Sequence, residues 1–205
     1  MLKKIFFLAA VALSFQKSLA QKFQGSIILG ATTTQVSGDQ LAGFDKSGFI
    51  AGGGITLPLH DKFDMGMEII FIQKGSKTSN NDSLEYYKMK LNYAQVPIVF
   101  EYKFSNRFHF HLAPSIGALL SAKEEDLFGE VNESSPFEKY EIGIGGGMSF
   151  YFSDNLSIKL RITQSLMPIR KIGVNSRYVV SGQYNSGLEF TVQYHFTNKK
   201  KEASQ

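Results

Sequence analysis

The sequence predicts an all-β protein, an eight-stranded antiparallel up-and-down transmembrane β-barrel that follows a cleaved signal peptide. Three observations lead to this prediction. Apolar and polar residues alternate with a period of two in eight successive segments, which is the pattern of strands with two distinct faces. The connections between these segments are alternately short and long, as in the meander of a membrane barrel. No segment after the N-terminus has a convincing helical pattern.

The N-terminal 20 residues have the features of a secretory signal peptide. Lys3 and Lys4 precede an apolar run over residues 5–15, and residues 18–20 (SLA) provide a cleavage site of small residues. The run is shorter than the roughly 20 residues that a membrane-spanning helix needs, which argues against an uncleaved anchor. We therefore divide the chain into a signal peptide (1–20), a barrel (21–197) and a polar periplasmic tail (198–205).

The charge balance argues against a nucleic-acid partner. The whole chain has a formal net charge of +4, but six of its lysines lie in residues 1–20 or in the run Lys199–Lys201. The rest of the chain is close to neutral and has no cluster of basic residues that could follow a phosphate backbone. The chain contains no cysteine, which excludes a thiol nucleophile, a thiolate metal site and a redox pair.

The eight predicted strands differ in the clarity of their alternation. The last is the clearest, because apolar and polar residues alternate at every position from Leu188 to Phe196, and the first is the weakest. In chain order the predicted strands span about 23–33, 47–59, 63–71, 96–104, 108–120, 140–152, 156–163 and 188–196. The short connections are 60–62, 105–107 and 153–155, and the long ones are about 34–46, 76–85, 121–137 and 170–181. We expect the short turns to face the periplasm and the long loops to face outward.

One face of the predicted strands is aliphatic and aromatic, and the other is polar. We expect the polar face to line the lumen with a structural network of Glu68, Glu101, Lys103, His109, His111, Glu141, Lys159, Arg161 and Glu189. Side chains fill the interior of an eight-stranded barrel, and charges are tolerated there when acids and bases pair. The apolar face then meets lipid, with an aromatic girdle of Phe104, Phe108, Phe150, Phe152 and Phe196. The alternative is a soluble lipocalin-like ligand-binding barrel, which would turn its apolar face inward.

The polar face also contains residue types that occur in metal sites and active sites. His109 and His111 lie two positions apart and could hold a metal together with His195, but we favour ordinary polar residues near the periplasmic mouth. The inward acids and bases could act in general acid and base catalysis, but we favour a ladder of internal salt bridges. No serine has a neighbouring histidine in a recognisable constellation. We therefore expect no enzymatic activity, metal or cofactor, and a narrow pore is disfavoured because eight strands leave little lumen.

Glycines are concentrated in two of the predicted strands, at residues 52–54 and 143–147. Neither group has the strand–loop–helix context of a phosphate-binding loop. We expect these glycines to permit sharp strand curvature and to leave space for bulky neighbours in the lumen.

The alternation also changes parity after Tyr93. This change predicts a β-bulge near residues 94–95 that shifts the facing of the strand by one residue. Pro97 removes a donor from the ladder and is best tolerated beside such a bulge.

Several stretches resemble the PorT-like family of outer-membrane β-barrel proteins. The resemblance is carried by residues 91–98 (LNYAQVPI) and 101–104, which match the family pattern L-x-Y-x-x-V-P, and by 48–53, Glu68 and 73–75 on preceding strands. It extends over residues 22–196. It implies an outer-membrane location in one group of Gram-negative bacteria and, from the namesake of the family, a role in type IX protein secretion.

These features predict a small outer-membrane barrel with a structural, adhesive or envelope-accessory role that acts through four outer loops. The resemblance adds an accessory role in type IX protein secretion as an alternative. The expected partners are outer-membrane lipid, the barrel-assembly machinery during insertion, and other envelope or secretion proteins. The alternating strand that ends in Phe196 resembles an insertion signal for that machinery, although nine residues follow it.

Overall fold

A computed structural model describes residues 23–39, 41, 43–78, 86–131, 136–171 and 182–196, which form an antiparallel β-barrel. The strands in this part of the chain are β1 Gln24–Ser37, β2 Lys46–His60, β3 Phe63–Lys77, β4 Tyr87–Lys103, β5 Phe108–Asp126, β6 Gly129–Glu130, β7 Tyr140–Ser153, β8 Leu156–Ser165 and β9 Tyr184–Phe196. The predicted signal peptide and C-terminal tail lie outside the described residues. Among the described residues there is no helix long and apolar enough to cross a membrane.

Eight long strands close the barrel. β1 pairs with both β2 and β9, and β4 pairs with β5, so the ring runs β1-β2-β3-β4-β5-β7-β8-β9 and back to β1. The two-residue strand β6 pairs with the end of β5. Closure leaves none of the eight long strands with an unpaired edge, which a bilayer requires because hydrocarbon offers no hydrogen-bond partners. The predicted eight-stranded up-and-down barrel is confirmed.

The short turns and long loops lie at opposite ends of the barrel. The short turns occupy residues 61–62, 104–107 and 154–155, each within one residue of its predicted position. At the other end β1, β3 and β5 continue to Ser37, Lys77 and Asp126, into segments that we predicted as loops. The added residues are mostly polar on both faces, so the alternation ends although the hydrogen-bonded ladder continues.

The outward face of the barrel is apolar. Its aliphatic side chains reach exposures of 60% or more, as at Leu29, Ile69 and Ile162. All five residues of the predicted aromatic girdle are on this face near the short turns, and the rings of Phe108 and Phe150 lie 4.8 Å apart between centroids. An apolar face that points outward is what a lipid-facing barrel needs. It contradicts the soluble lipocalin-like alternative.

The lumen consists of two chemically different halves, whereas we expected a charged interior throughout. The half near the short turns holds charged side chains. The half near the long loops contains an apolar core beside a separate buried ion pair. The members of this core are each at most 3% exposed: Ile28, Val36, Ile50, Ile70, Ile72, Met89, Leu91, Tyr93 and Ile169. Apolar residues on β4 therefore serve the interior as well as the lipid face.

The predicted bulge at residues 94–95 is wrong. β4 pairs with β3 in one register on both sides of this point, and Tyr93 and Gln95 are both buried in the lumen. The facing of the strand does not change there. Instead, the inward Met89, Leu91 and Tyr93 are apolar, and so are the outward Val96, Ile98 and Phe100, which in the sequence resembles a change of parity. The irregularity lies on β5, where Leu120 is an extra residue in the ladder with β4.

Lumen-facing glycines let neighbouring strands approach closely. A Cβ atom on Gly52 would lie 2.2 Å from a carbonyl oxygen of β3, and one on Gly147 would lie 1.9 Å from a carbonyl oxygen of β8. A Cβ atom on Gly145 would lie 2.8 Å from Cδ of Arg161. The glycines thus allow neighbouring strands to approach closely and, as predicted, Gly145 leaves space for the bulky lumen side chain of Arg161.

We predict that Gly147→Ala destabilises the barrel by about 1–3 kcal/mol, because its methyl group meets backbone that cannot move without disturbing the β7–β8 ladder. The matched control is Gly146→Ala on the lipid face, where a Cβ atom would lie 3.9 Å from the nearest atom. Urea unfolding of the two variants in detergent, followed by heat-modifiable gel mobility, measures the difference. Equal stability of the two variants would contradict the role given to Gly147.

Candidate functional site in the barrel lumen

Two carboxylates share one guanidinium group in the inner half of the lumen. Arg161 donates from Nη1 and Nη2 to Oε2 of Glu68 at 3.1 Å each, and its Nη1 lies 3.5 Å from Oε2 of Glu189. Gln193 donates from Nε2 to Oε1 of Glu68 at 3.1 Å, and Nζ of Lys159 lies 3.4 Å from the same oxygen. All five side chains are buried. Charge-assisted bonds of this kind are stronger than bonds between neutral groups.

A third acid, Glu101 on β4, is held mainly by hydroxyl groups. Ser149 donates to Oε1 at 2.7 Å, and Tyr151 donates to Oε2 at 3.0 Å. Nζ of Lys159 lies 3.9 Å from Oε1 and links this acid to the cluster around the guanidinium group. Nδ1 of His109 lies 3.6 Å from Oε2 on the side of the short turns. The polar contacts therefore continue from the inner mouth to the middle of the barrel.

Seven of the nine predicted lumen residues come together in this network: Glu68, Glu101, His109, His111, Lys159, Arg161 and Glu189. His111 takes part through Nε2, which accepts a hydrogen bond from Nε of Arg161 at 3.4 Å. The other two predicted residues lie elsewhere. Lys103 is partly exposed at the inner mouth and pairs with Asp64 at 2.8 Å, and Glu141 lies in the outer half of the lumen.

Glu141 forms a separate buried ion pair with Lys74 at 2.6 Å. Asn185 donates from Nδ2 to the second oxygen of this carboxylate at 2.6 Å, and the Lys74 ammonium group lies 5.4 Å from the centroid of the Tyr93 ring. The sequence identified the acid but missed its partners. Lys74 has the same parity as Glu68 on β3, and this shared parity is the signal that could have found it.

Residues from β5 and from the segments that follow β6 and β8 lie at the outer end of the lumen, and we call Glu124, Phe137, Ile169 and Arg170 the outer cap. Ile169 is 1% exposed and packs into the apolar core. Arg170 forms two hydrogen bonds with Glu124, which also accepts one from Tyr87. The Arg170 guanidinium group lies 3.7 Å from the centroid of the Phe137 ring. Sequence reasoning missed the cap because these segments lack a periodic pattern.

The inner end of the lumen opens into a cavity of about 950 Å³ between the short turns. His109, Tyr151 and His195 form its floor, with ring centroids of the two histidines 4.4 Å and 5.6 Å from that of the tyrosine. The cavity walls carry both signs of charge, including Lys62 and Asp64. The barrel is thus open to water at its inner mouth and filled above it.

Most of the charged lumen side chains are bonded to one another. In the described ranges, no group of three or more histidine, aspartate and glutamate side chains could hold a metal. Two serine–histidine contacts do form, Ser149 with His111 at 3.1 Å and Ser157 with His195 at 2.9 Å, which the sequence did not reveal. Both serines have an exposure of 0%, so a substrate has no access to either hydroxyl group.

We predict that Arg161→Met destabilises the barrel by about 3–5 kcal/mol, because it leaves Glu68 and Glu189 buried without their shared cation. The control is Lys103→Met, whose ion pair with Asp64 is partly exposed and should contribute about 1 kcal/mol or less. The free energy of unfolding in detergent measures both effects. If Arg161→Met lowers the free energy of unfolding no more than Lys103→Met does, the network does not stabilise the fold.

Comparison with known proteins agrees with this architecture. The chain matches the family model of the outer membrane protein beta-barrel domain over residues 13–171. No curated protein matches the chain. A crystal structure of Ail, the attachment invasion locus protein of Yersinia pestis, is similar with a TM-score of 0.53 and 15% identity, covering 85% of this chain and 99% of that chain.

Two further structures have the same fold. Ail of Yersinia pestis in complex with the heparin analogue sucrose octasulfate has a TM-score of 0.51 and 15% identity, covering 85% of this chain and 99% of that one. The crystal structure of Neisserial surface protein A has a TM-score of 0.51 and 14% identity, and the match covers 85% of this chain and 97% of that chain. Identities this low show the fold alone. Because the family model spans well over half of the chain, the protein belongs to the outer membrane protein β-barrel domain family and lies in the outer membrane.

Proposed function

We propose that this protein is a non-conducting outer-membrane anchor with a structural, adhesive or envelope-accessory role that its outer loops perform. The observation that supports this function best is the filling of the lumen. Paired charges occupy the inner half, an apolar core occupies the outer half, and the outer cap lies above both. A barrel filled in this way offers a rigid base for loops rather than a path for solutes.

Passage of a solute would require several buried contacts to break together. The inner network would have to release Arg161 from Glu68, and the outer end would have to release Arg170 from Glu124. Breaking one partner away from a buried ion pair leaves an uncompensated charge, which costs several kcal/mol. This cost favours an anchor over a pore.

Described residues of two outer loops contact each other. The backbone N–H of Glu138 donates to the carbonyl oxygen of Ile169 at 2.8 Å, and its side chain pairs with Lys171 at 3.0 Å, so two of the loops support each other. Leu127 and Phe128 occupy the turn after β5 and are 62% and 97% exposed. Apolar side chains displayed on an ordered turn are typical of contact surfaces.

The similar structures give this proposal limited support by analogy. Ail is described as an attachment invasion locus protein, and one of its structures contains a heparin analogue. Neisserial surface protein A is described as a surface protein. An adhesive role for the outer loops of this chain is the function analogous to those descriptions.

The accessory role in type IX secretion is a second candidate that rests on the PorT-like resemblance. Leu91, Tyr93 and Pro97 of the matching strand are all fully buried in the lumen. The motif therefore serves packing inside the barrel and does not form a docking surface. Normal cargo secretion by a deletion strain would count against this second role.

We predict that the purified protein produces no stepwise conductance in planar lipid bilayers, because buried side chains fill its lumen. A porin reconstituted in the same way is the positive control. The double variant Ile169→Ala/Arg170→Ala should also remain closed, since the inner network lies below the outer cap. Discrete channel openings by the wild-type protein would contradict the proposed anchor.

We also predict that the long loops face the cell exterior. Because the chain has no cysteine, Phe128→Cys introduces a single thiol at an exposed turn. A membrane-impermeant maleimide should label it on intact cells. The matched variant Asp154→Cys, in a short turn, should be labelled only after the outer membrane is permeabilised. The reverse pattern would place the loops in the periplasm and rule out the proposed function.

A further inference from the structure

We propose that the cavity at the inner mouth of the barrel binds a short acidic peptide segment of a periplasmic partner. The cavity has a volume of about 950 Å³, at the upper end of the roughly 300–1,000 Å³ that is typical of ligand sites. It lies between the short turns, at the opposite end of the barrel from the outer cap. The inference uses the same orientation of the barrel as the function proposed above, but it does not depend on what the outer loops bind.

Two cationic side chains at the mouth have no acidic partner among the described residues. Lys62 and Arg107 both line the cavity and are exposed. In the described ranges, no carboxylate lies within ion-pair distance of either side chain. A third cation in the wall, Lys103, is already paired with Asp64 at 2.8 Å. Lys62 and Arg107 are therefore available to an anionic ligand.

The acids of the cavity wall leave less charge for a ligand than the cations do. Asp61, Asp64 and Asp154 line the cavity. Asp64 is paired with Lys103, and Asp154 also has an interaction partner. Among the wall residues that the structure describes, Asp61 then remains as the one acid without a partner, against two such cations. The unpaired charges of the wall thus favour an anion over a cation.

The sequence adds further positive charge at this end of the barrel. β9 ends at Phe196, directly after His195 in the cavity floor. Residues 197–205 follow, and they contain three lysines and one glutamate. A basic segment connected to the rim of the mouth attracts anions and raises their local concentration there.

The two unpaired cations belong to different turns. Lys62 precedes β3, and its carbonyl oxygen accepts a hydrogen bond from the backbone N–H of Lys103 at 2.9 Å. Arg107 precedes β5, and its carbonyl oxygen accepts one from the backbone N–H of Tyr151 at 2.9 Å. The strands therefore hold the two cations at separate points of the rim. A peptide with carboxylates on separate residues can contact both cations, whereas a small anion with a single carboxylate is better suited to one.

The cavity floor offers hydrogen-bonding groups to the peptide. His109 directs Nδ1 toward Glu101, at 3.6 Å from Oε2. His195 is hydrogen-bonded through Nε2 to Oγ of Ser157 at 2.9 Å. In the described part of the chain, the other ring nitrogen of each histidine has no hydrogen-bond partner and is not enclosed by protein atoms. An imidazole nitrogen can donate to a peptide oxygen or accept from a peptide N–H group, so the floor provides two positions for the peptide backbone.

The test measures peptide binding by the protein in micelles of an uncharged detergent at low ionic strength. The probes are the pentapeptide Glu-Gly-Glu-Gly-Glu and its counterpart Gln-Gly-Gln-Gly-Gln, both blocked at their ends, and the NMR signals of the histidine rings measure the dissociation constants. The wild-type protein should bind the glutamate peptide about fivefold to tenfold more tightly. Lys62→Gln/Arg107→Gln should remove this preference. The matched variant Lys90→Gln/Lys123→Gln, which removes two charges at the outer ends of β4 and β5, should retain it.

A deletion of residues 199–205 provides a second measurement. It should weaken binding of the glutamate peptide, because it removes three lysines next to the mouth. Tighter binding after the deletion would show that this segment of the chain competes for the cavity. The segment would then be the occupant in place of a partner peptide, and the proposal would be overturned.

Other outcomes would also overturn the proposal. Equal binding of the two peptides would show that carboxylates are not recognised, and an equal loss in both double variants would show an effect of net charge alone. Displacement of the peptide by an equal concentration of glutarate would identify a site for small anions. Heat-modifiable gel mobility shows that the variants are folded. Because binding is measured in detergent, none of these outcomes bears on the conductance or labelling experiments.

Discussion

The contact of Arg161 with Glu68 and Glu189 is the interaction on which the rest of the barrel depends. Lipid requires an apolar outward face, so the charged residues of the spanning segments turn inward, where eight strands leave little room. Charges buried there persist only when they are paired. Acids and bases on different strands must therefore meet at the same height, and Gly145 leaves the space that the Arg161 side chain occupies.

The division of the lumen into two halves explains how the interior of a small barrel can hold residues of the segments beyond its strands. The charged half lies above an open inner mouth, whereas the outer half contains an apolar core like that of a soluble domain. Ile169 joins this core from a loop, and Arg170 joins Glu124 and Phe137 above it. The described residues of these two segments are thereby attached to the interior of the barrel.

The period-two pattern was sufficient to predict the strands across the membrane, the short turns and the inward direction of the charged residues. It could not assign partners, because register depends on pairing between strands distant in sequence. The pattern also failed wherever the two faces of a strand do not differ in polarity. The apolar outer lumen gives Tyr93 the same character as the lipid-facing residues that follow it, and this likeness led to the prediction of a bulge. Glu124 and Arg170 lie in segments without periodicity.

A double-mutant cycle between Glu68 and Arg161 tests the central interaction most directly. The free energy of unfolding in detergent would be measured for the wild-type protein, Glu68→Gln, Arg161→Met and the double variant. If the pair holds the inner lumen together, the sum of the losses of unfolding free energy in the two single variants should exceed the loss in the double variant. The difference, which is the coupling energy, should be about 1–3 kcal/mol. Additive losses, with a coupling energy near zero, would contradict the claim that paired lumen charges organise the barrel.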